Sequence, residues 1–461
     1  MAKFSHDAFI APTAEQYVSR AEILGAFSYA LDITQGQPVG HCISACWIGC
    51  QIGLELGLSG DDFADLYYTV LLKDVGCSSN AARICELYRT DDHEFKHDFK
   101  FVTGDKRDVL KFALKTVGKN SGWLTRMRAI ASVLRNGDDY AREVMDTRCT
   151  RGADIAKRLR FSDAVAEGIR GLDEHWDGSG LPLASSGADI PLYSRIALLA
   201  QVAEIFYRNA GADAALAEVA AQSGRWFDPA IVRAFQNAQA KPGFWECVGA
   251  PGLEPLLFSL APAMTADLVD EDYLDDIAAA FGEVVDAKSP YTSGHSGRVA
   301  DYAARIAEAI DYPVEKRRWL VRGALLHDIG KLGVSNAILD KPAKLDDDEW
   351  QVMRGHAAHT QEILGRISAF EDMAPISAAH HERLDGKGYP HGLGASAISL
   401  ETRIITTCDF YDALTADRPY RAAMSPERAL AIMAEEVGKA IDARCFAALA
   451  QVVAAQQTPT A

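Results

Sequence analysis

Apolar residues recur at three- and four-residue steps through AEILGAFSYALDI (21–33), YAARIAEAI (302–310) and RALAIMAEEV (428–437). That spacing is one buried face of an α-helix. No convincing runs of period two alternate with these segments, so the pattern predicts an all-α protein. The Pro/Gly-rich stretch KPGFWECVGAPGLEPLLFSLAPA (241–263) interrupts the periodicity. It divides the chain into a first domain, 1–260, and a second, 261–461, whose first helix is expected near Asp270-Glu271. A chain of 461 residues exceeds one ordinary core, which agrees with two domains.

The two parts repeat one another. LLKDVG (71–76) returns as LLHDIG (325–330), a shift of 327 − 73 = 254 that also sets Gly40-His41 on Gly294-His295 and AFSYALD on AFGEVVD. Farther on, DGSGLP (177–182) returns as DGKGYP (385–390), a shift of 385 − 177 = 208. The expectation is two tandem helical bundles related by internal duplication. The first carries 254 − 208 = 46 extra residues between about Asn80 and Val144, an insertion placed near 91–137.

Composition narrows the class. With 48% hydrophobic and 24% charged residues the chain is globular. A formal net charge of −17 argues against a nucleic-acid polymer as main partner but admits a small anionic substrate. No run of about 18 apolar residues suggests a membrane span, the N-terminus lacks the apolar core of a secretory signal, and no membrane partner is expected. Nine cysteines, odd in number and without a framework, read as reduced thiols of a cytoplasmic, bacterial-looking protein.

The second half concentrates metal-ligating types: His295, His327, Asp328, His356, His380, His381 and Asp409. Helices of a bundle can project such groups into a common centre. Nitrogen and oxygen donors without thiolate suit iron or manganese, and also nickel or zinc. Seven groups exceed the needs of one tetrahedral ion, so two divalent metals sharing a bridging aspartate are expected. Such a pair clamps a phosphodiester for in-line attack. Lys331, three residues after Asp328, and Arg418 and Arg421, after Asp409, are cations suited to phosphate oxygens.

HDIGK (327–331), HHERLDGKGYP (380–390) and DFYDALTADRPYR (409–421) together resemble the HD-GYP family of HD-domain metal-dependent phosphohydrolases. The likeness runs from about Asp270 to Val452. It implies an all-helical domain with a two- or three-metal centre and hydrolysis of cyclic di-GMP to pGpG and often GMP. By motif position the seven residues above are the implied metal ligands, Asp328 the bridge, and Lys331, Arg418 and Arg421 the phosphate contacts. Many members carry lysine where Arg421 stands, which keeps the charge and changes the donor geometry. Tyr389 of the signature loop is expected near the site or a guanine, although DGKG would form a tight turn without any such role. Asp412 is placed on the substrate side, as one candidate for protonating the leaving 3′-oxygen; water on the metals is the other. A subset of the family has glutamate four residues before the first histidine, completing a third metal site. Tyr291 stands there, so two metals are expected.

Under the same shifts the first half has lost most of this set. His41 and Asp74 remain, but Lys73, Arg148, Leu172, Asp173 and Gln201 replace His327, His356, His380, His381 and Asp409, and Cys77 replaces Lys331. No catalytic metal cluster is expected there, and regulation or dimerisation is the expected role. His93-Glu-x-x-His97 in the insertion has zinc-protease spacing. Its surroundings are strongly charged, and Asp105 and Asp108 are too close for a second ligand helix; a solvated helix or loop is expected. Cys42, Cys46 and Cys50, a helical stripe, are expected as small core residues.

Three functions follow: a cyclic di-GMP phosphodiesterase, an HD phosphohydrolase for another cyclic nucleotide, or a non-catalytic adaptor binding cyclic di-GMP or partner proteins. Expected partners are the cyclic dinucleotide, a second copy of the chain, and a diguanylate cyclase or other signalling protein.

Overall fold

The protein is described here from a computed structural model that covers residues 20–102, 106–119, 121–261, 269–419 and 421–457. Every regular element among these is helical, with only isolated β-bridges. The first half contains Arg20–Thr34, His41–Glu55, Gly60–Leu71, Asp163–Arg170, Leu192–Ala210 and Pro229–Gln239. The second contains Glu271–Asp286, His295–Ala309, Val314–Leu326, Asp347–Gly365, Leu400–Thr415, Pro426–Glu436 and Ala443–Gln457. The helices beginning at His41 and His295 start at the same position of the repeat, as do those at Leu192 and Leu400. The fold is two tandem helical bundles related by duplication, as the sequence predicts. The helix Glu271–Asp286 starts where expected, with the Asp270 carboxylate accepting from the Tyr273 amide.

Duplicated residues do duplicated work. Gly40 and Gly294 take positive φ, 84° and 69°, at the turn before each histidine helix, a conformation that favours glycine. Asp32 then accepts from the Cys42 amide at 2.9 Å, and Asp286 accepts from the Ser296 amide at 3.1 Å. Both fix the first helical turn and so aim His41 and His295. Gly76 and Gly330 lie where a Cβ would fall 2.0 and 1.9 Å from the carbonyls of Arg148 and His356, so neither position admits a side chain. Glu174 and Glu382 each accept two backbone N–H bonds, at 2.6 and 2.8 Å, from the far side of the DG-x-G-x-P loop.

The halves do not have separate interiors. One apolar core runs through both, from Phe27, Leu31 and Ile48 to Ile277, Phe281, Leu326 and Ile363. A second, around Val299, Ile306, Ile404 and Leu449, belongs to the second half alone. The insertion forms Asp92–Phe99, Lys106–Thr116 and the amino-terminal part of the long helix Trp123–Arg158, over a small core of Tyr88, Phe95, Val117 and Ile130. Asp105 and the side chain of Asp108 lie outside the described residues, as do Tyr420 and the last two residues of the 241–263 stretch.

Candidate metal centre

Four helices and two turns of the second half bring all seven predicted ligands together. His295 opens one helix, His327 closes another, and Asp328 begins the following 3₁₀ turn. His356 lies inside Asp347–Gly365, Asp409 inside Leu400–Thr415, and His380 and His381 follow the short helix Ala374–Ala378. The donors fall into two groups, Asp328 with His356, His380 and His381, and His295 with His327 and Asp409. Within each group the donor atoms lie within 4.8 Å of one another.

The hydrogen bonds set the tautomers. The Nδ1–H groups of His327, His356 and His380 donate to the carbonyls of Ala324, Met353 and Ser377 at 2.7, 2.5 and 2.6 Å. A carbonyl can only accept, so each Nε2 carries its lone pair inward. Nε2 of His295 faces that of His327 at 3.3 Å, and those of His356 and His380 are 3.5 Å apart. Asp328 stands between the groups. Its Oδ2 is 3.3 Å from His295 and 3.4 Å from His327, and its Oδ1 is 3.6 Å from both His356 and His380. That Oδ1 is buried without a hydrogen-bond partner, an expensive arrangement unless a cation meets it. Converging nitrogen donors around an orphaned carboxylate oxygen fit bound divalent metal.

The electrostatics differ along the cluster: burial would lower His295, but its bonds to Asp328 and Asp412 raise it to about 9. Burial pushes His356 down to about 3 and His381 well below the usual imidazole range, which keeps both neutral, the form that binds metal. Burial would raise Asp328, but Lys331 and His327 hold it well below the carboxylate range. Lys331 Nζ lies 2.5 Å from Asp328 Oδ2.

The remaining predicted residues are placed differently from one another. Tyr389 packs on His381, ring centroids 4.7 Å apart, with the exposed Arg354 guanidinium 5.5 Å over its ring. Asp412, expected on the substrate side, is buried behind His295. It accepts from Nδ1 at 2.7 Å and from Arg298 at 2.5 and 3.0 Å. Burial would raise its pKa, but those two partners hold it at about 2, so it orients the imidazole and carries no proton to give at neutral pH. Arg421 donates to the carbonyls of Ala413, Leu414 and Ala422. It therefore caps the helix carrying Asp409, where the Arg418 Nε–H also approaches the Ala413 carbonyl at 3.5 Å. Backbone bonds of 2.8 and 3.1 Å between Arg418 and Arg421 close the turn beyond it. Arg298, Arg354 and Glu382 were not singled out from the sequence. Glu382 had a signal, since Glu174 persists in a half that lost its ligands.

A family model described as HD domain matches residues 128–231 and 280–445. The chain belongs to the HD domain family, in its HD-GYP branch. The 3'3'-cGAMP-specific phosphodiesterase 3 of Vibrio cholerae is 52% identical to this HD-GYP protein, with 93% of each chain covered. The cyclic di-GMP phosphodiesterase response regulator RpfG of Xanthomonas campestris is 40% identical over 34% of this chain and 42% of its own length. The crystal structure of a cyclic GMP-AMP specific phosphodiesterase from V. cholerae (V-cGAP3) superposes with a TM-score of 0.64. It is 47% identical and covers 95% of this chain and 98% of its own.

In the first HD half the same geometry is filled with side-chain cations. His41 Nδ1 bonds Glu204 at 2.5 Å, as His295 bonds Asp412. Where His295 Nε2 faces the ligand cluster, His41 Nε2 instead meets the Lys73 ammonium at 2.9 Å. Lys73 also pairs with Asp74. Lys100 from the insertion approaches His41 Nε2 at 3.4 Å. Arg148 and Asp173, in the places of His356 and His381, form an ion pair at 3.0 Å. Ammonium groups thus neutralise the acid that metal would otherwise meet. Among the described residues both candidate metal groups lie in the second half. Cys42, Cys46 and Cys50 are fully buried in the shared core.

The His93–His97 segment is a helix, with one face docked and not solvated. Asp92 is buried and accepts from Ser335 Oγ at 3.0 Å and from the Asn336 amide at 2.8 Å, both in the second half. The buried Lys96 and Lys288 ammoniums lie 3.4 and 3.5 Å from its other oxygen. His93 Nε2 faces Lys288 at 3.3 Å, and His97 Nδ1 faces Asp98.

Proposed function

We propose that the second half is a two-metal phosphodiesterase acting on a 3'3'-linked cyclic dinucleotide, with 3'3'-cGAMP ahead of cyclic di-GMP. The observation that carries the reaction class is the pair of ligand groups that meet at Asp328, whose Oδ2 lies 3.3 and 3.4 Å from His295 and His327 and whose Oδ1 has no hydrogen-bond partner. Similarity over nearly the whole chain to a 3'3'-cGAMP-specific relative supports the substrate order, and so revises the cyclic di-GMP preference drawn from the motif.

His295, His327, Asp328, His356, His380, His381 and Asp409 would hold the ions; the donor set suits iron or manganese and admits nickel or zinc. Bound there, two cations would polarise the phosphate and stabilise charge developing on its oxygens. Lys331 and Arg418 are assigned to phosphate oxygens, with Arg421 bracing the turn that carries Arg418. Tyr389, roofing His381 beneath Arg354, is assigned to the substrate mouth. Asp412 positions His295. The first half, ending near residue 260, is a non-catalytic partner domain. Nine cysteines without a disulfide fit a reducing cytoplasm.

The test is turnover of 3'3'-cGAMP, cyclic di-GMP and cyclic di-AMP by iron- and manganese-loaded protein, with products identified. Hydrolysis should be fastest for 3'3'-cGAMP and vanish in the double variant His327→Ala/Asp328→Ala. A fully loaded sample that cleaves none of the three would end this reading.

A further inference from the structure

The geometry points to the insertion as a docking surface for an anionic phospholipid bilayer. Seven large apolar side chains stand exposed between Val109 and Leu134. Trp123, Leu124, Met127 and Leu134 are 74, 64, 49 and 55% exposed. With Arg128 and Arg135, also exposed, they recur at helical steps along one stripe of the long helix. The opposite face, Ala129, Ile130 and Val133, is buried in the insertion's own core, so the outward stripe does no folding work. The neighbouring helix Lys106–Thr116 adds exposed Leu110 and Leu114. Arg126 ties the two helices into one hairpin by donating to the Leu114 carbonyl at 2.8 Å.

Charge selects the partner. Between Val109 and Gly137 the chain has no aspartate or glutamate and six lysines or arginines, in a protein of net charge −17; Lys115 and Lys119 pair with Asp98 and Glu94 of the helix beside them, whereas Arg128 and Arg135 lie on the exposed apolar stripe. Bulky apolar groups mixed with cations on one exposed helical face match an interface of acyl chains beneath anionic headgroups. No helix among the described residues is long and apolar enough to span a bilayer, so binding is at the surface. A second copy of the chain fits less well, because a two-fold contact would set this cationic face against itself. A nucleic acid would account for the charge and not for Trp123, Leu124, Met127 and Leu134.

The experiment is cosedimentation of the full chain with vesicles of phosphatidylcholine alone or mixed with phosphatidylglycerol. The variants are Arg128→Glu/Arg135→Glu and Trp123→Ala/Met127→Ala. Each is checked for helicity and for unchanged hydrolysis in solution. Binding is expected to the mixed vesicles only, falling with salt and weakened at least about tenfold in either variant. Three results would overturn the proposal. One is no binding to mixed vesicles at low salt. Another is equal binding by wild type and both variants. The third is a vesicle-free dimer that the Trp123/Met127 variant turns into monomer, which would make the face an interface between copies.

Discussion

Phe27 and Phe281 occupy the same position in the two repeats and lie face to face, ring centroids 3.4 Å apart and planes within 9°. A residue stacked on its own duplicate marks a local two-fold relation. A second pair of positions repeats it. Arg158 pairs with Glu283, and Arg366, the repeat of Arg158, lies 4.2 Å over Tyr29, the repeat of Glu283. The degenerate half thus packs on the active half as one subunit packs on another in a symmetric dimer, inside a single chain.

Such packing makes the halves one cooperative unit. Phe27→Ala removes a fully buried ring and should cost about 3–5 kcal/mol. Calorimetry should show a single transition in the wild type, displaced downward in the variant. Two resolved transitions in the wild type would contradict a common core.

Metal content should separate the halves. Asp328→Ala should remove bound iron or manganese measured by elemental analysis, whereas His41→Ala should leave it unchanged. Loss of metal on changing His41 would show that the Lys73 ammonium does not substitute for a cation there.

How much of this was legible depended on how local the demand was. Metal coordination tolerates few residue types, so His327-Asp328, His380-His381 and the rest stood out in the sequence. Lys73 at a ligand position announced the loss of chemistry in the first half just as plainly. Roles set by distant partners left no such trace. Asp412 and Arg421 carry the right charges in the right string, yet one orients an imidazole and the other caps a helix, and only packing distinguishes these from substrate contacts. Asp92 sits in a run so charged that it reads as solvated; its partners Ser335 and Asn336 are 243 and 244 residues away. The shared core was invisible for a related reason. Helical periodicity shows which face is buried and not which half covers it.

His41 should make stability depend on pH. Burial lowers it to about 4, and the bond to Lys73 requires its Nε2 to be unprotonated. The unfolded chain binds that proton below about 6.5, so stability is complete above pH 6.5 and is lost as pH falls toward 4, by on the order of 3 kcal/mol. Other buried groups titrate in this range, so the measurement is a difference. Thermal melts of wild type and His41→Gln, compared between pH 7 and 4.5 (roughly the window of that shift), should show the steeper decline in the wild type. Parallel curves would place a proton on His41 in the folded state.

Asp92 couples the insertion to the segment that follows Lys331. Removing its carboxylate leaves the buried ammoniums of Lys96 and Lys288 without their acid, and frees the Ser335 hydroxyl and the Asn336 amide. Asp92→Ala should destabilise the chain by about 3–5 kcal/mol. Asp92→Ala/Lys288→Met, which also removes one stranded charge, should recover part of that loss in chemical denaturation. A double variant less stable than the single one would mean that the pair does not interact as its 3.5 Å separation indicates.

Asp412 offers the sharpest test of how the site is tuned. Its carboxylate accepts the Nδ1–H of His295 and so turns Nε2 toward Asp328, His327 and Asp409. The amide of Asp412→Asn can keep the shape but can present its NH₂ to Nδ1, which favours the tautomer with the proton on Nε2 and turns the lone pair away. Outer partners of metal-bound histidines typically affect metal affinity by about 10–100-fold, and that is the expected loss for Asp412→Asn. Arg298→Ala leaves Asp412 on His295 and should cost less. If Asp412 served instead as the proton donor to the leaving oxygen, Asp412→Asn would bind metal normally and lose only turnover, with the loss tracking the leaving group's basicity. Metal titration of the variant in the absence of substrate, set beside its hydrolysis rate, distinguishes these roles. Weakened binding assigns Asp412 to orientation, and unchanged binding with lost turnover assigns it to proton transfer.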